Sequence, residues 1–270
     1  MINLEGEMKM NNNDLVKNDL NFTPITVPVY KIIAIYGNIR SRMPDFKKAI
    51  EQGYNVGNYR DLATKRMEQH NPDANDRALL NDNYFTLVGN PTLGDPANSG
   101  EQIIINDLEQ KVFQPLKLQL LNMNSSTKLN SSWALPLAES KEEAKAIYDK
   151  IKTNGAPYIT VLSPKQVKEL RNNLYALPNV RERILEGFLQ GNLTEKKDYV
   201  KHVKAIKQVD DMSRILGYAP GGFTDMRLVW AGSVGNYYAN AYSSNSLNYY
   251  YGRLFGVGAR GAGAPTEKSK

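Results

Sequence analysis

SKEEAKAIYDKIKTNG, residues 140–155, is the clearest helical pattern in the chain. Ser140 and Glu143 have the spacing of a capping box, in which each side chain bonds to the backbone N–H of the other residue. The apolar residues that follow recur every three or four positions and form one helical face. Asn154 and Gly155 supply a left-handed stop. The stretch therefore predicts a helix that packs one face against a core.

Two more helices are predicted directly after this one. Ser163 and Pro164 supply an N-cap followed by proline at the first helical position. Pro178 is expected to end that helix, because proline cannot continue one. Asn179 is then expected to cap the next helix, and Gly191 to follow its last turn.

The longest helix is predicted to begin at Thr194 and to run to about Leu216, where Gly217 stops it. Residues 158–162 are rich in β-branched side chains and predict a strand within the same region. We therefore predict a helical block of about four helices over residues 140–216.

The residues before this block favour short strands and short helices. Strands are predicted within 23–36, at 84–88 and at 102–106, where β-branched and aromatic residues cluster. Helices are predicted at 45–51 and at 58–70, the second of them capped by the asparagine that opens it.

Two stretches near the middle of the chain are harder to assign. Residues 89–96 contain two glycines and two prolines and predict a turn. Residues 107–123 are ambiguous, because Pro115 breaks a helix there while the leucines after it alternate like those of a strand.

The predicted fold class is α+β, with short antiparallel strands and a Gly/Tyr/Asn/Ser-rich C-terminal segment flanking the helical block. The predicted segments are a flexible arm (1–22), an N-terminal α+β region (23–135), the helical block (136–218), a C-terminal recognition or assembly segment (219–265) and a polar tail (266–270).

Composition excludes several kinds of catalytic site. Without cysteine, the chain has no thiolate nucleophile, thiolate metal ligand or disulfide. Only His70 and His202 supply imidazole, so neither a His-rich metal site nor a Ser-His-Asp triad is expected. The sequence GVGARG at 256–261 matches a dinucleotide-binding pattern, but no helix is predicted after it to hold a pyrophosphate. We therefore expect no enzymatic activity, no metal and no cofactor.

The charge pattern permits an anionic partner without requiring one, because the formal net charge is only +6. The longest predicted helix carries a row of lysines that could contact phosphates, although a solvated face opposite an apolar stripe explains them equally well. These lysines are Lys196, Lys197, Lys201, Lys204 and Lys207. Nucleic-acid binding is therefore a less favoured alternative.

The C-terminal segment has an unusual composition. Its window NYYANAYSSNSLNYYY, residues 236–251, consists of Asn, Tyr and Ser at thirteen of sixteen positions. Tyrosine supplies a large amphipathic contact area at low entropic cost, and Asn and Ser supply adaptable hydrogen bonds. The window therefore predicts partner recognition, with ordinary antiparallel strands or a buried seam between subunits as the alternative.

Short motifs bracket this window, LVWAGS at 228–233 and GARG at 258–261. The arrangement resembles the variable region of receptor-binding proteins diversified by retroelements, as in phage tail fibres, which are C-type-lectin-like. The resemblance implies that Trp230, Gly258 and Arg260 are scaffold residues. It also implies that ten residues face a ligand, namely Asn236, Tyr237, Tyr238, Asn240, Tyr242, Ser244, Asn245, Asn248, Tyr249 and Tyr250.

These observations predict a non-enzymatic virion or surface-assembly protein that recognises a ligand or neighbouring subunit through its C-terminal segment. Its partners are expected to be proteins in a homo-oligomer or larger assembly, with a surface receptor or glycan as a further candidate. A purely structural subunit of a phage particle is the main alternative. No secretory signal or membrane-spanning segment is expected, which places the protein in a virion, or in the host cytoplasm before assembly.

Overall fold

The computed structural model describes residues 25–27, 30–68, 86–130, 134–207, 216–222, 225–234, 239–248 and 252–258. Within these residues the chain forms seven α-helices and ten strands, all strands belonging to one mixed sheet. The predicted α+β class is confirmed. The predicted arm at 1–22 and tail at 266–270 lie outside the described residues.

The elements are numbered here in chain order. The strands are β1 (Ile25–Val27), β2 (Tyr30–Tyr36), β3 (Tyr54–Val56), β4 (Thr86–Gly94), β5 (Gln102–Ile105), β6 (Ile159–Leu162), β7 (Tyr218–Ala219), β8 (Met226–Ala231), β9 (Ala241–Tyr242) and β10 (Arg253–Gly258). The helices are α1 (Ile39–Glu51), α2 (Tyr59–Glu68), α3 (Gln114–Leu121), α4 (Lys141–Asn154), α5 (Pro164–Asn172), α6 (Pro178–Phe188) and α7 (Leu193–Lys207).

The sheet joins strands from distant parts of the sequence in the order β1-β2-β10-β4-β8-β9-β7. β3 also pairs with β10, β5 with β4, and β6 with β5. β10 runs parallel to β4 and β7 runs parallel to β9, while the other pairs are antiparallel. The sheet therefore takes strands from the N-terminal region, the helical block and the C-terminal segment alike.

Helices cover both faces of this sheet and create two apolar cores. One core contains buried residues of α2, α5, α6 and α7 together with one set of strand residues, such as Val88 and Phe255. The other contains buried residues of α1, α3 and α4 with the alternate strand residues, such as Leu87 and Leu254. Successive strand residues point to opposite faces, so the result is a three-layer arrangement.

The predicted helical block is confirmed as α4 to α7, with β6 inserted between α4 and α5. Ser140 and Ser163 cap their helices as predicted, and Ser163 forms a full capping box with Gln166. The helix capped by Ser163 ends at Asn172, before Pro178 is reached. Pro178 instead opens α6, where Leu177 is the N-cap with a left-handed φ of 52°.

The last helix of the block begins slightly earlier than predicted. α7 starts at Leu193, and the Oδ1 atom of Asn192 accepts a hydrogen bond from the backbone N of Glu195 at 3.1 Å. This contact is an N-cap, which satisfies a backbone donor that has no partner within the helix. The predicted extension of α7 past Lys207 lies outside the described residues.

The turn predicted at 89–96 is wrong, because residues 86–94 form the central strand β4. The register of β4 against β8 shifts between Val88 and Pro91, so the strand carries a bulge that accommodates the proline. Asn90 at this bulge is fully buried. Its Oδ1 accepts from the backbone N of Tyr59 at 2.7 Å, and its Nδ2 donates to the carbonyl oxygens of Ile105 and Asn106.

Two prolines lie within helices, contrary to expectation. Pro115 does not break the stretch at 107–123, because it lies in the first turn of α3, where proline is tolerated. Pro44 lies inside α1, which begins at Ile39 rather than at Asp45 because Asn38 caps it.

Gly155 ends α4 for a different reason from the one predicted. Its φ is −83°, so it is not in the left-handed region. An added Cβ would lie 2.5 Å from the carbonyl oxygen of Ile151 and 2.8 Å from Cγ2 of Ile159. The position therefore requires glycine because α4 and β6 approach each other closely here.

We predict that Gly155→Ala lowers the free energy of unfolding by about 1–3 kcal/mol, because backbone atoms must move to admit the methyl group. Urea unfolding followed by circular dichroism measures this difference. Asn154→Ala is the control at the neighbouring exposed position. Equal stabilities of the two variants would show that the junction has room for a side chain.

Candidate functional site

Four strand ends meet at one edge of the sheet. The last residue of β2, Tyr36, is paired with the first residue of β10, Arg253. Arg253 is paired with Thr86 at the start of β4, and Thr86 with Ala231 at the end of β8. The chain leaving β8 and the chain entering β10 therefore begin and end at the same edge, which we call the tyrosine edge because both stretches belong to the Asn/Tyr/Ser segment.

The stretch that leaves β8 is closed at its base by backbone hydrogen bonds. The N of Gly232 donates to the carbonyl oxygen of Asn240 at 2.7 Å, and the N of Ala239 donates to that of Ser233 at 3.3 Å. Ala239 has a φ of 58°, which turns the chain back toward β9. Positions 235–238 lie in the chain between these two bonded ends.

Two buried side chains of α2 donate hydrogen bonds to the backbone at this base. Nη2 of Arg66 donates to the carbonyl oxygen of Gly232 at 2.8 Å, and its Nη1 donates to Oη of Tyr199 at 2.8 Å. Oη of Tyr59 donates to the carbonyl oxygen of Ala239 at 2.6 Å. Burial raises the pKa of Tyr59 well above its ordinary value, so its hydroxyl stays protonated and remains a donor.

Asn240 is not ligand-facing as predicted, because it is buried with 2% of its surface exposed. Its Oδ1 accepts from the backbone N of Gly217 at 2.6 Å, and its Nδ2 donates to the hydroxyls of Tyr175 and Tyr242. These bonds satisfy both ends of one amide side chain. Asn240 therefore joins the window to the loop that follows the helical block.

Ser243 has a similar internal role. Its hydroxyl accepts from the backbone N of Gly221 at 3.0 Å and donates to the carbonyl oxygen of Ala219 at 3.2 Å. It also lies 3.1 Å from the hydroxyl of Tyr218, whose pKa burial raises. This fully buried serine thus fixes the chain directly after β9.

Arg227 of β8 reaches the next turn of the window. Its Nη1 donates to the carbonyl oxygens of Ser243 and Asn245, at 3.4 and 3.3 Å. Desolvation lowers the pKa of Arg227 to about 10, which leaves the side chain charged at neutral pH. A charged donor strengthens hydrogen bonds to buried carbonyl groups.

Asn248 is half-buried and bonded to the N-terminal region. Its Oδ1 accepts from Nε of Arg40 at 2.7 Å, and its carbonyl oxygen accepts from Nδ2 of Asn38 at 3.4 Å. Arg40 also donates to the carbonyl oxygen of Thr127 at 2.7 Å. The amide oxygen of Asn248 is therefore committed to Arg40.

The other predicted ligand-facing residues divide into two groups. Ser244 is exposed, and Tyr242 and Asn245 are half-buried. Five lie outside the described residues, namely Asn236, Tyr237, Tyr238, Tyr249 and Tyr250. The hydroxyl of Tyr242 also accepts a hydrogen bond from Nδ2 of Asn240 at 3.2 Å.

The predicted scaffold residue Trp230 is fully buried in β8. A Cβ at Gly252, directly before β10, would lie 2.4 Å from the indole ring of Trp230. Only glycine fits this approach, which brings the end of the window onto the sheet. Gly258, the second predicted scaffold residue, is the last residue of β10, and Arg260 lies outside the described residues.

The glycine-rich motif, the lysine row and His202 each make contacts within the fold. Gly256 and Gly258 lie inside β10, paired with β2 and β3, rather than in a turn that follows a strand.

Lys196 bonds to Glu182 and Glu186 at 2.5 and 2.7 Å, which partly neutralises the lysine row on α7. His202 stacks against Tyr199 with ring centroids 6.5 Å apart. His70 lies outside the described residues.

The described residues offer neither a metal site nor a membrane-spanning helix. Within them, no group of three or more His, Asp or Glu side chains is placed to hold a metal ion. None of the helices found there combines the length and the apolar character needed to cross a bilayer.

Comparisons of the chain with protein-family models, curated protein sequences and solved structures found no match.

Sequence reasoning missed the residues that support the tyrosine edge from α2. Tyr59 and Arg66 are separated from their carbonyl partners by 180 and 166 positions. No local pattern in residues 58–70 indicates these contacts. Arg66 is fully buried, which is uncommon for arginine. Its burial, next to Met67 at the core, depends on how α2 packs and cannot be recognised from the sequence of the helix.

We predict that Asn240→Leu lowers the free energy of unfolding by about 2–4 kcal/mol, because it strands the buried N–H of Gly217 and two tyrosine hydroxyls. Ser244→Ala, at an exposed position of the same window, is expected to change it by less than about 0.5 kcal/mol. Chemical unfolding of both variants measures the contrast. A fully stable Asn240→Leu protein would restore Asn240 as a candidate ligand contact.

Proposed function

We propose that this protein is a non-enzymatic virion or surface-assembly protein that recognises a ligand or neighbouring subunit at the tyrosine edge. The recognising residues are proposed to be seven of the predicted ligand-facing positions. They are Tyr237, Tyr238, Tyr249 and Tyr250, with Asn236, Ser244 and Asn245 at their margins.

The convergence of strand ends is the observation that carries this proposal. β8 ends and β10 begins at one edge of the sheet, separated there by β4 alone, at about 4.8 Å per strand. The two tyrosine-bearing stretches, 235–238 and 249–251, are attached to these strand ends through short described connections. A composite surface from two stretches is therefore favoured over two separate sites.

The fixed base of the window also favours recognition. Buried hydrogen bonds from Arg66, Tyr59 and Asn240 hold the chain on either side of 235–238. Recognition surfaces gain affinity when the supporting backbone is ordered before the partner arrives, because less entropy is then lost on binding. The anchoring bonds named here come from other residues, so we expect substitutions at the tyrosine positions to leave these bonds intact.

The first experiment is oxidative footprinting of the isolated protein over a series of protein concentrations. We expect the four tyrosines to be modified readily in dilute protein. If a second copy is the partner, their modification falls as concentration rises and sedimentation velocity shows self-association. If the partner is foreign, they stay reactive throughout. Protection of all four tyrosines in the dilute monomer would contradict the proposal.

Substitution of the tyrosines tests whether they bind a partner. We predict that the double variant Tyr237→Ala, Tyr249→Ala loses self-association, or loses binding to whichever immobilised glycan or receptor the parent protein retains, by tenfold or more, as expected for aromatic anchors. Tyr158→Ala removes an exposed tyrosine that does not belong to the window and serves as the control. Equal losses in both variants would argue against a specific surface.

The resemblance to retroelement-diversified proteins has its own test. Sequencing of the DNA that flanks the gene should find a near-copy of codons 228–261 that differs at adenines, beside a reverse-transcriptase gene. Its absence would remove the diversification mechanism and favour a structural subunit with a constant interface.

A further inference from the structure

A second concave site lies at the opposite end of β10 from the tyrosine edge. A pocket of about 450 Å³ opens between the start of α2, the start of α7 and Val257. Val257 is four residues along β10 from Arg253, or ~13 Å at the usual rise of a strand. The other lining residues are Asn58, Arg60, Asp61, Thr64, Lys65, Gln190 and Glu195.

Hydrogen bonds fix the charged wall of this pocket. Nε of Arg60 donates to Oε2 of Glu195 at 2.9 Å, and its Nη1 donates to Oε1 of Gln190 at 2.9 Å. The hydroxyl of Thr64 donates to the other oxygen of Glu195 at 2.7 Å. The wall therefore joins α2 to α7 through three side chains whose orientations are set before any ligand binds.

The floor of the pocket is the capped start of α2. Asn58 and Asp61 exchange two bonds of 2.9 Å, from the backbone N of each residue to the side-chain oxygen of the other. Burial raises the pKa of Asp61. Both side chains are thus held in place by the helix start, and each keeps one further polar atom for a ligand.

The polar atoms left over in this pocket include three donors and one acceptor. Nδ2 of Asn58, Nη2 of Arg60 and Nε2 of Gln190 can each still donate, and Oδ1 of Asp61 can still accept, since their described bonds use other atoms. A hydroxyl group both donates one hydrogen bond and accepts two. Neighbouring hydroxyls of one ligand can therefore engage an amide or guanidinium N–H and a carboxylate oxygen together.

The charges of the lining favour neither an anion nor a cation. Two cationic side chains, Arg60 and Lys65, are matched by two carboxylates, Asp61 and Glu195, so the formal charge of the lining is zero. An anion would meet the two carboxylates, and a cation would meet the arginine and lysine. The methyl groups of Val257 offer a small apolar patch of the kind that packs against the C–H face of a sugar ring. The volume is within the range of small-molecule sites.

We propose that this pocket binds a small neutral polyhydroxylated ligand, a mono- or disaccharide, between α2 and α7. Arg60, Gln190 and Asn58 donate to its hydroxyl oxygens, and Asp61 accepts from its hydroxyl groups. This site is separate from the tyrosine edge, and its occupancy does not depend on the function proposed for that edge.

The full-length protein is tested by saturation-transfer-difference NMR and isothermal titration calorimetry. The probes are glucose, galactose, mannose, N-acetylglucosamine and their β-linked disaccharides, with sodium phosphate as an anionic and methylammonium chloride as a cationic comparison. We expect at least one sugar to bind and both charged probes to fail. Binding of phosphate or methylammonium in preference to every sugar, or no binding by any probe, would overturn the proposal.

Two variants place the binding in this pocket. Gln190→Leu removes an exposed donor without an internal role beyond Arg60, and we expect it to weaken sugar binding about tenfold. Asn58→Asp keeps the helix cap but replaces the Nδ2 donor, and a similar loss is expected. Gln52→Leu, at an exposed position outside the pocket, is the matched control and should bind as the parent does. Unchanged affinity in Gln190→Leu and Asn58→Asp would locate the sugar elsewhere and overturn the assignment.

Discussion

The buried amide of Asn90 is the interaction on which most of this architecture depends. A bulge in the central strand β4 leaves backbone groups of neighbouring elements without ladder partners, and buried backbone groups must be satisfied. Asn90 supplies one acceptor to the start of α2 and two donor bonds to the end of β5. One side chain thereby sets the position of α2 relative to the sheet, and an apolar substitute could not do so, because it would leave three buried groups unpaired.

Both candidate sites follow from that placement of α2. The first turn of α2 forms the floor and wall of the polar pocket, and its buried face carries Tyr59 and Arg66 to the base of the tyrosine edge. The stacking of Tyr59 on Phe188, with ring centroids 4.8 Å apart, fixes the same helix against α6. A single short helix therefore connects the helical layer to two surfaces at opposite ends of β10. The orientation of this ten-residue helix therefore sets the geometry of both candidate sites.

Local chemistry explains which features the sequence could predict. The caps at Ser140 and Ser163 and the apolar stripe of α4 act over three or four residues, so the pattern is complete within the helix itself. The turn predicted where β4 lies is wrong for the opposite reason. Asn90 and Pro91 have the composition of a turn, and only partners on α2, β5 and β8 make a strand with a bulge the better solution. Gly155 likewise depends on the approach of β6, which no local pattern encodes.

The composition of the Asn/Tyr/Ser window predicts a recognition segment. It cannot tell which of its residues contact a partner and which bond within the fold. An amide or hydroxyl that suits a variable partner suits a buried loop equally well, since both uses need a short side chain that donates and accepts. Asn240 and Ser243 satisfy backbone groups inside the protein, and Asn248 bonds to Arg40. These three residues therefore belong to the framework of the window, and only the placement of their distant partners in the fold distinguishes this role from recognition.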